Sequence, residues 1–161
     1  MTIKAGDALP SATVVSMTAD GPSQIDIRDL LAGKKAVLFG VPGAFTPTCH
    51  NKHLPGFVAN ADALKAKGVD LIACVSVNDI FVLDAWAVQS GATGQVTFLA
   101  DGNGEFTRNI GMEHDLAIAG MGVRSKRYAM VVDDNTVTNV FEDNERGVVS
   151  HSGAEHILSI L

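Results

Sequence analysis

Two nearly continuous apolar stretches, residues 35–41 and 69–77, set the strongest limit on the possible folds of this chain. Their side chains do not alternate between apolar and polar, so both faces of each predicted strand must be buried. A helical stretch lies between them and ends at Gly68. A buried strand, a connecting helix and a second buried strand are typical of a layered α/β domain.

The remaining patterns extend this order. Residues 18–24 contain Gly21-Pro22 and predict a polar turn, whereas Asp133-Asp134-Asn135 predicts a hairpin turn. Ser152, with Glu155 three residues later, predicts a capping box for the last helix. Strands are predicted at residues 13–17, 35–41, 69–77, 97–99, 128–132 and 136–141, and helices at 25–31, 47–67 with a break at Pro55, 80–89, 105–110 and 152–161.

This order favours a thioredoxin-like α/β fold, with a central mixed β-sheet flanked by helices on both faces. A flavodoxin-like sheet is the alternative, and the late hairpin disfavours it. The 161 residues, 47% of them hydrophobic and 19% charged, suit one domain over residues 1–161.

The charge pattern argues against several kinds of partner. The net charge is −6, and the densest basic run, residues 124–127, carries only three charges, so neither nucleic acid nor an anionic membrane surface is expected as a partner. No apolar run approaches the roughly 20 residues that span a bilayer. The amino-terminal sequence lacks an apolar signal region. We therefore expect a cytoplasmic protein, whose two cysteines are reactive or buried rather than disulfide-bonded.

Residues 41–49, Val-Pro-Gly-Ala-Phe-Thr-Pro-Thr-Cys, carry the chemical signal. They run from a buried strand into a helix, with Thr46 as the N-cap and Pro47 at the first helical position. Cys49 then occupies the third position, where backbone N–H groups have no intrahelical acceptor. These donors and the positive end of the helix dipole favour a charged sulfur, so Cys49 is a candidate nucleophile.

Acidity alone would not make such a cysteine a fast catalyst. A thiol with an ordinary pKa near 8.5 is already about 3% ionised at pH 7, so full ionisation gains at most roughly 30-fold. The remainder must come from aligning the substrate and stabilising charge on the leaving group. The Thr46 hydroxyl and the Arg127 guanidinium are the candidates for these roles.

Other interpretations of the same residues are weaker. A free cysteine is often simply a buried apolar side chain. Cys49, His50 and His53 suggest a metal site, but nothing nearby completes the three or four ligands that zinc requires, so no metal is expected. A cysteine hydrolase would need a histidine base, and His50, adjacent on the helix, points elsewhere. His151 and His156 are expected on the surface.

Residues 41–49 closely resemble the active-site loop of the peroxiredoxin family, in particular the subfamily of the mammalian type-five and plant type-two enzymes. Residues 53–57 (His-Leu-Pro-Gly-Phe), 74–79 (Cys-Val-Ser-Val-Asn-Asp) and 124–128 (Arg-Ser-Lys-Arg-Tyr) resemble the same subfamily in the same order. The resemblance extends from about residue 3 to the carboxyl terminus.

The resemblance implies a thioredoxin-like fold and an enzyme that reduces hydrogen peroxide and alkyl hydroperoxides without a metal, haem or flavin cofactor. By position, Cys49 matches the peroxidatic cysteine, Thr46 the hydroxyl that orients the peroxide and Arg127 the active-site arginine. Pro42 matches the residue that shields the sulfur, and the backbone N–H groups of Thr48 and Cys49 would hold the substrate oxygen. Thr46 also stands where thioredoxins have their first cysteine, which disfavours a disulfide oxidoreductase.

The chain departs from some relatives in its resolving cysteine. Residues 149–153 contain no cysteine, and Cys74 lies inside an apolar strand, where a structural role is expected. The prediction is a one-Cys cycle in which an external thiol, glutathione with glutaredoxin first or thioredoxin second, reduces a Cys49 sulfenic acid. The resemblance also implies a homodimer, to which Phe45, Phe81 and residues 116–121 would contribute. A redox sensor that passes oxidation to a partner protein is the alternative function.

Overall fold

The computed structural model describes all 161 residues and contains nine β-strands and five α-helices. The elements are β1 (Thr13–Thr18), β2 (Gly21–Asp26), α1 (Ile27–Leu31), β3 (Lys35–Val41), α2 (Leu54–Ala66), β4 (Leu71–Ser76), α3 (Ile80–Gln89), β5 (Thr97–Ala100), α4 (Glu105–Asn109), β6 (Glu113–Asp115), β7 (Val123–Ser125), β8 (Arg127–Asp133), β9 (Thr136–Asp143) and α5 (Ala154–Ile160). A π-helical turn (Cys49–His53) precedes α2, and a 3₁₀ turn (Ala117–Ala119) lies between β6 and β7.

Seven strands form one sheet in the order β2-β1-β5-β4-β3-β8-β9. Strand β4 pairs in parallel with β3 and with β5, whereas all the other pairs in the sheet are antiparallel. The sheet is therefore mixed, as the sequence predicts. Parallel neighbours such as β3, β4 and β5 must be joined by crossover connections. The helices in these connections therefore lie against the faces of the sheet.

Each face of the sheet carries its own apolar core. Along β3, Val37, Phe39 and Val41 pack with α2, α3 and α5, whereas Ala36 and Leu38 pack with α1 and α4. Side chains of a strand alternate between its two faces, so a nearly continuous apolar sequence is what burial on both sides demands. This arrangement confirms the predicted α/β class with helices on both faces.

The predicted turn at residues 18–24 is wrong in extent. Residues 21–26 form β2, which pairs with β1 over six residues and makes the outer edge of the sheet. An edge strand faces solvent, so its polar sequence is tolerated, and Pro22 can occupy a position whose missing N–H is not needed. Helix α1 consequently begins at Ile27 rather than at residue 25, because the Asp26 carboxylate accepts a hydrogen bond from the Arg28 N–H at 2.8 Å.

The predicted capping box at the last helix is also wrong. Helix α5 begins at Ala154, with Gly153 in the capping position. The Ser152 hydroxyl instead donates to the Asp143 carboxylate at the end of β9, at 2.6 Å. A tertiary acceptor, the Asp143 carboxylate, has therefore replaced the local helix N–H from which a capping hydroxyl would accept. None of the helices is long and apolar enough to cross a membrane.

Candidate active site

The chain turns sharply between β3 and the helix that follows it. Phe45 adopts a left-handed backbone with φ of 62°. The Thr46 carbonyl then accepts the first helical hydrogen bond, from the His50 N–H at 2.8 Å. Thr46 is therefore the N-cap and Pro47 the first helical residue, as the sequence predicts, which leaves Cys49 in the first turn.

The Thr46 side chain does not cap the helix. Its hydroxyl donates to the Gly43 carbonyl at 2.7 Å, so its lone pairs remain free to accept a hydrogen bond. The N–H groups of Thr48 and Cys49 have no acceptor within the protein. The first turn thus presents a hydroxyl acceptor and two backbone donors beside the sulfur.

The predicted break at Pro55 takes the form of the π-helical turn just before it. The Leu54 N–H donates to the Cys49 carbonyl, five residues back rather than four. A proline inside a regular helix lacks an N–H and clashes with the carbonyl four residues earlier. The widened turn accommodates this, and single π turns of this kind are frequent at functional sites.

Arg127, at the start of β8, reaches the sulfur of Cys49. Its Nη2 lies 3.2 Å from Cys49 Sγ, and both side chains are buried. Arg124 is directed elsewhere, because its Nε donates to the Met121 carbonyl at 2.9 Å. Of the two arginines in the 124–128 segment, the structure thus brings Arg127 to Cys49.

His53 completes this group. The sequence indicated it as a possible metal ligand and as part of the 53–57 segment that resembles the subfamily, but not as a partner of Arg127. Its Nε2 lies 2.9 Å from the Ser152 carbonyl, which can only accept, so Nε2 carries the proton. Its Nδ1 is then free to accept from Arg127 Nη1 at 2.9 Å. Burial and the neighbouring Arg127 charge lower the pKa of His53 to about 3, so the ring is neutral at physiological pH.

Cys49 and His53 are four residues apart, and residues four apart share a helix face. This spacing was the one sequence signal that could have placed His53 beside Cys49. No local pattern indicates that the Ser152 carbonyl, 99 positions further along the chain, fixes the protonated nitrogen. The ring also packs against Phe39 and Phe57, with ring centroids 5.1 and 5.6 Å away.

None of the other histidines forms a hydrogen bond with Cys49 or Arg127. The Nδ1 of His50 accepts from the indole N–H of Trp86 at 3.0 Å. No group of three or more His, Cys, Asp or Glu side chains is placed to hold a metal ion. His151 is exposed as expected, whereas His156 is half-buried against Phe141, with ring centroids 4.6 Å apart.

Cys74 has very different surroundings. It lies in β4 between Phe39 of β3 and Phe98 of β5, and it is fully buried. Burial, together with the charge of Cys49, raises the pKa of the Cys74 thiol well above its ordinary value. Both cysteines are free thiols.

A cavity of about 500 Å³ opens over the first turn of the helix. The predicted residues Pro42, Thr46, Thr48 and Arg127 line it. Residues Leu116, Ile118, Ala119 and Met121 form its apolar wall, and 143–147 form a polar wall that sequence analysis did not indicate. The space far exceeds that of hydrogen peroxide and can admit an organic substituent.

Comparisons with known proteins agree with this geometry. The redoxin family model matches residues 4–158. The structure of reduced Prx3 in complex with hydrogen peroxide from Vibrio vulnificus is 47% identical and superimposes with a TM-score of 0.94, covering 99% of each chain. Peroxiredoxin-2C of Oryza sativa subsp. japonica is 49% identical over 99% of this chain and 98% of its own length, and Peroxiredoxin-2E of Arabidopsis thaliana, a chloroplastic protein, is 47% identical over 99% and 69% respectively.

These matches confirm the thioredoxin-like fold and the predicted subfamily, because the similarity covers nearly the whole chain at close to half identity. The chain belongs to the redoxin family and, within it, is a peroxiredoxin of the plant type-two kind: an oxidoreductase that uses thiols to reduce peroxides.

Proposed function

We propose that Cys49 is the peroxidatic residue and that each turnover passes through a Cys49 sulfenic acid. The observation that carries this proposal is the 3.2 Å contact between Arg127 Nη2 and Cys49 Sγ at the amino end of a helix. A fixed cation and unpaired N–H donors stabilise a thiolate, which is the nucleophilic form of cysteine.

In the first step the thiolate attacks the terminal oxygen of the hydroperoxide. An S–O bond forms and the O–O bond breaks, which oxidises the sulfur to sulfenic acid and reduces the peroxide. The leaving oxygen takes a proton from solvent and departs as an alcohol, or as water when the substrate is hydrogen peroxide.

Arg127 stabilises the charge that moves from sulfur to the leaving oxygen. Its two terminal nitrogens have different partners, Nη2 on Cys49 and Nη1 on His53. Because His53 Nδ1 only accepts, it holds the guanidinium in place without competing for the thiolate. A preorganised donor of this kind is worth about 100-fold or more in rate.

Thr46, Thr48 and Pro42 orient the peroxide. The Thr46 hydroxyl, already donating to Gly43, accepts the hydrogen of the peroxide O–H. The free N–H groups of Thr48 and Cys49 donate to a peroxide oxygen. Pro42, half-buried at the cavity wall, shields the sulfur from water.

An external thiol completes the cycle. Cys74 lies in the apolar core of the sheet, and residues 149–153 contain no cysteine, so the chain offers no partner thiol near the cavity. The external thiol attacks the sulfenic acid to give a mixed disulfide and water, and a second thiol releases Cys49 as a thiol and leaves as a disulfide. Glutathione with glutaredoxin is our first choice of reductant, and thioredoxin our second.

The test is peroxide consumption by the purified protein with glutathione and glutaredoxin, compared with thioredoxin and its reductase. Sustained turnover with either system supports a peroxidase cycle closed by an external thiol, and the faster system identifies the reductant. Oxidation of one equivalent followed by a stable mixed disulfide would contradict it and favour the sensor function.

The proposal includes a homodimer that packs beside the cavity. Phe45 and Phe81 are 44% and 67% exposed, and Ile118 is fully exposed. Apolar side chains exposed close to a site mark an association surface. We expect Ile118→Lys to yield monomers in sedimentation velocity, while the control Ile160→Lys, at an exposed apolar position of α5, leaves the wild-type mass.

The proposal also places the protein in the cytoplasm. Its two cysteines are unpaired, and free thiols persist in a reducing compartment. Fractionation of the source cells with compartment markers tests this, and recovery of the protein with an oxidising compartment would contradict it.

A further inference from the structure

Arg127 and Asp143 stand opposite one another on β8 and β9. Side chains directly opposite in an antiparallel pair share a face, with Cβ atoms about 5 Å apart, and opposite charges in this position attract. No ion pair joins them, however. The Arg127 nitrogens contact Cys49 and His53, and the Asp143 side chain is only 3% exposed.

The Asp143 carboxylate is occupied by the serine loop, residues 150–152. Oδ2 accepts from the Ser152 N–H at 2.9 Å, the Ser152 hydroxyl at 2.6 Å and the Ser150 N–H at 2.9 Å. Oδ1 accepts from the Ser150 hydroxyl at 2.9 Å and the His151 N–H at 3.1 Å. Five donors thus hydrogen-bond to a carboxylate that has about four lone-pair sites, so its acceptor positions are filled.

We propose that the serine loop sequesters Asp143 and thereby keeps the Arg127 guanidinium on Cys49. A carboxylate matches the planar fork of a guanidinium and binds it through two parallel hydrogen bonds. A thiolate offers one sulfur and a softer charge, so an unoccupied Asp143 would draw Arg127 away from it. Ser150 and Ser152 are therefore positioning residues, which act through Asp143 and Arg127. This inference rests on the proposed role of Arg127.

The ionisation of Asp143 makes this sequestration necessary. Burial by itself raises the pKa of Asp143, but the hydrogen bonds from Ser152 and Ser150 outweigh it and hold the pKa well below its ordinary value. The carboxylate consequently stays charged across the physiological range. A charged carboxylate beside Arg127 would bind the guanidinium unless other donors filled its hydrogen-bonding positions. The serine loop supplies those donors to Asp143.

The experiment is a charge rescue. The double variant Ser150→Ala/Ser152→Ala removes the two hydroxyl donors. It leaves the three backbone donors and the His151 ring, whose Nδ1 lies 3.4 Å from Asp143 Oδ1. We expect oxidation of Cys49 by hydrogen peroxide, followed by stopped flow, to slow about tenfold. Adding Asp143→Asn to this variant removes the competing charge and is expected to restore the rate to within about threefold of wild type. Ser159→Ala, on the exposed face of α5, is the matched control and should react at the wild-type rate.

If the serine loop had only a structural role, the triple variant should be slower than the double variant, because Asp143→Asn would weaken the remaining hydrogen bonds between β9 and the loop. A triple variant as slow as the double variant would overturn the proposal, and so would a double variant with the wild-type rate. Should the double variant not fold, the same comparison is made with Ser150→Ala, with and without Asp143→Asn. Arg127→Gln is measured alongside: an unchanged rate there sinks the proposed function itself, whereas a slow Arg127→Gln without rescue rejects only the sequestration.

Discussion

Cys49 and Cys74 are both fully buried in the same apolar core, yet their surroundings differ completely. Cys49 Sγ receives a hydrogen bond from Arg127 and lies beside the free N–H groups of a helix start. Cys74 lies between two aromatic residues in the middle of the sheet. The difference shows that burial alone does not set the chemistry of a thiol; the polar partners in its burial site do.

The same difference explains why only one sulfur is suited to carry negative charge. A thiolate removed from water needs donors to replace those that it loses. Arg127 and the first helical turn supply them to Cys49, and the neighbouring Thr46, Thr48 and Arg127 line the cavity. Cys74 has no such donors, and burial raises the pKa of its thiol.

The largest effect should come from exchanging each sulfur for oxygen. We expect Cys49→Ser to abolish turnover, because a serine hydroxyl is not ionised at neutral pH and does not attack the peroxide. Cys74→Ser should keep most of the activity and lose stability, by about 1–3 kcal/mol, because it buries a hydroxyl in an apolar site. Steady-state peroxide consumption and thermal unfolding are the measurements.

Cys74→Ala is the control for that comparison, since it removes the sulfur without burying a hydroxyl. Loss of turnover in both Cys74 variants, with the fold retained, would show that Cys74 takes part in the cycle and would end the one-Cys assignment.

The second effect should separate the two arginines. Arg127→Gln removes the cation beside Cys49 and should slow oxidation by hydrogen peroxide about 100-fold. Arg124→Gln breaks a contact with the Met121 carbonyl and should cost no more than about threefold. Stopped-flow oxidation of each variant is the measurement, and equal rates would mean that Arg127 has no special role.

A smaller effect is expected at Thr46. Thr46→Val keeps the shape of the side chain and removes its hydroxyl, so the peroxide loses one hydrogen-bond acceptor. We expect oxidation to slow about tenfold. Thr46→Ser restores the hydroxyl and should recover most of the rate; if it reacts as slowly as Thr46→Val, the hydroxyl is not what matters.

Local patterns predicted those parts of the molecule that local physics determines. The bounds of β3 follow from its apolar run, and the helix start follows from Thr46-Pro47. The serine loop could not be predicted in this way. The Ser152 hydroxyl can either accept from a local helix N–H or donate to a distant carboxylate, and its bond to Asp143 depends on how β9 is placed.

The same limit applied at the site. Residues 41–49 indicated the nucleophile because the strand end, the helix start at Thr46-Pro47 and Cys49 itself all lie within nine consecutive residues. The contact between Arg127 and His53, 74 positions apart, and that between His53 and Ser152 arise only when β8 and the chain before α5 meet beneath the helix. The partners of Cys49 are set by tertiary structure, whereas the apolar neighbours of Cys74 follow from strand pairing.

The smallest effect is on the pH dependence of the free energy of unfolding, and it comes from the neutral His53 ring. This ring belongs to the polar group around Cys49 and has no counterpart beside Cys74. The pKa of His53 is lowered from an ordinary 6.5 to about 3. Between these values the unfolded chain binds a proton that the folded chain excludes. The contribution of His53 to the free energy of unfolding should therefore be constant above pH 6.5 and fall by about 1.4 kcal/mol for each pH unit below it, down to about pH 3.

His53→Asn is the informative variant, because its side-chain oxygen can still accept from Arg127 and it does not titrate. Denaturant unfolding at pH 5 to 8 should give a flatter dependence in the variant than in wild type. Asp143, whose lowered pKa also favours the fold at higher pH, is present in both proteins and cancels from the difference. Parallel curves would mean that folded His53 accepts a proton in this range, and a protonated ring would repel Arg127 rather than hold it against Cys49.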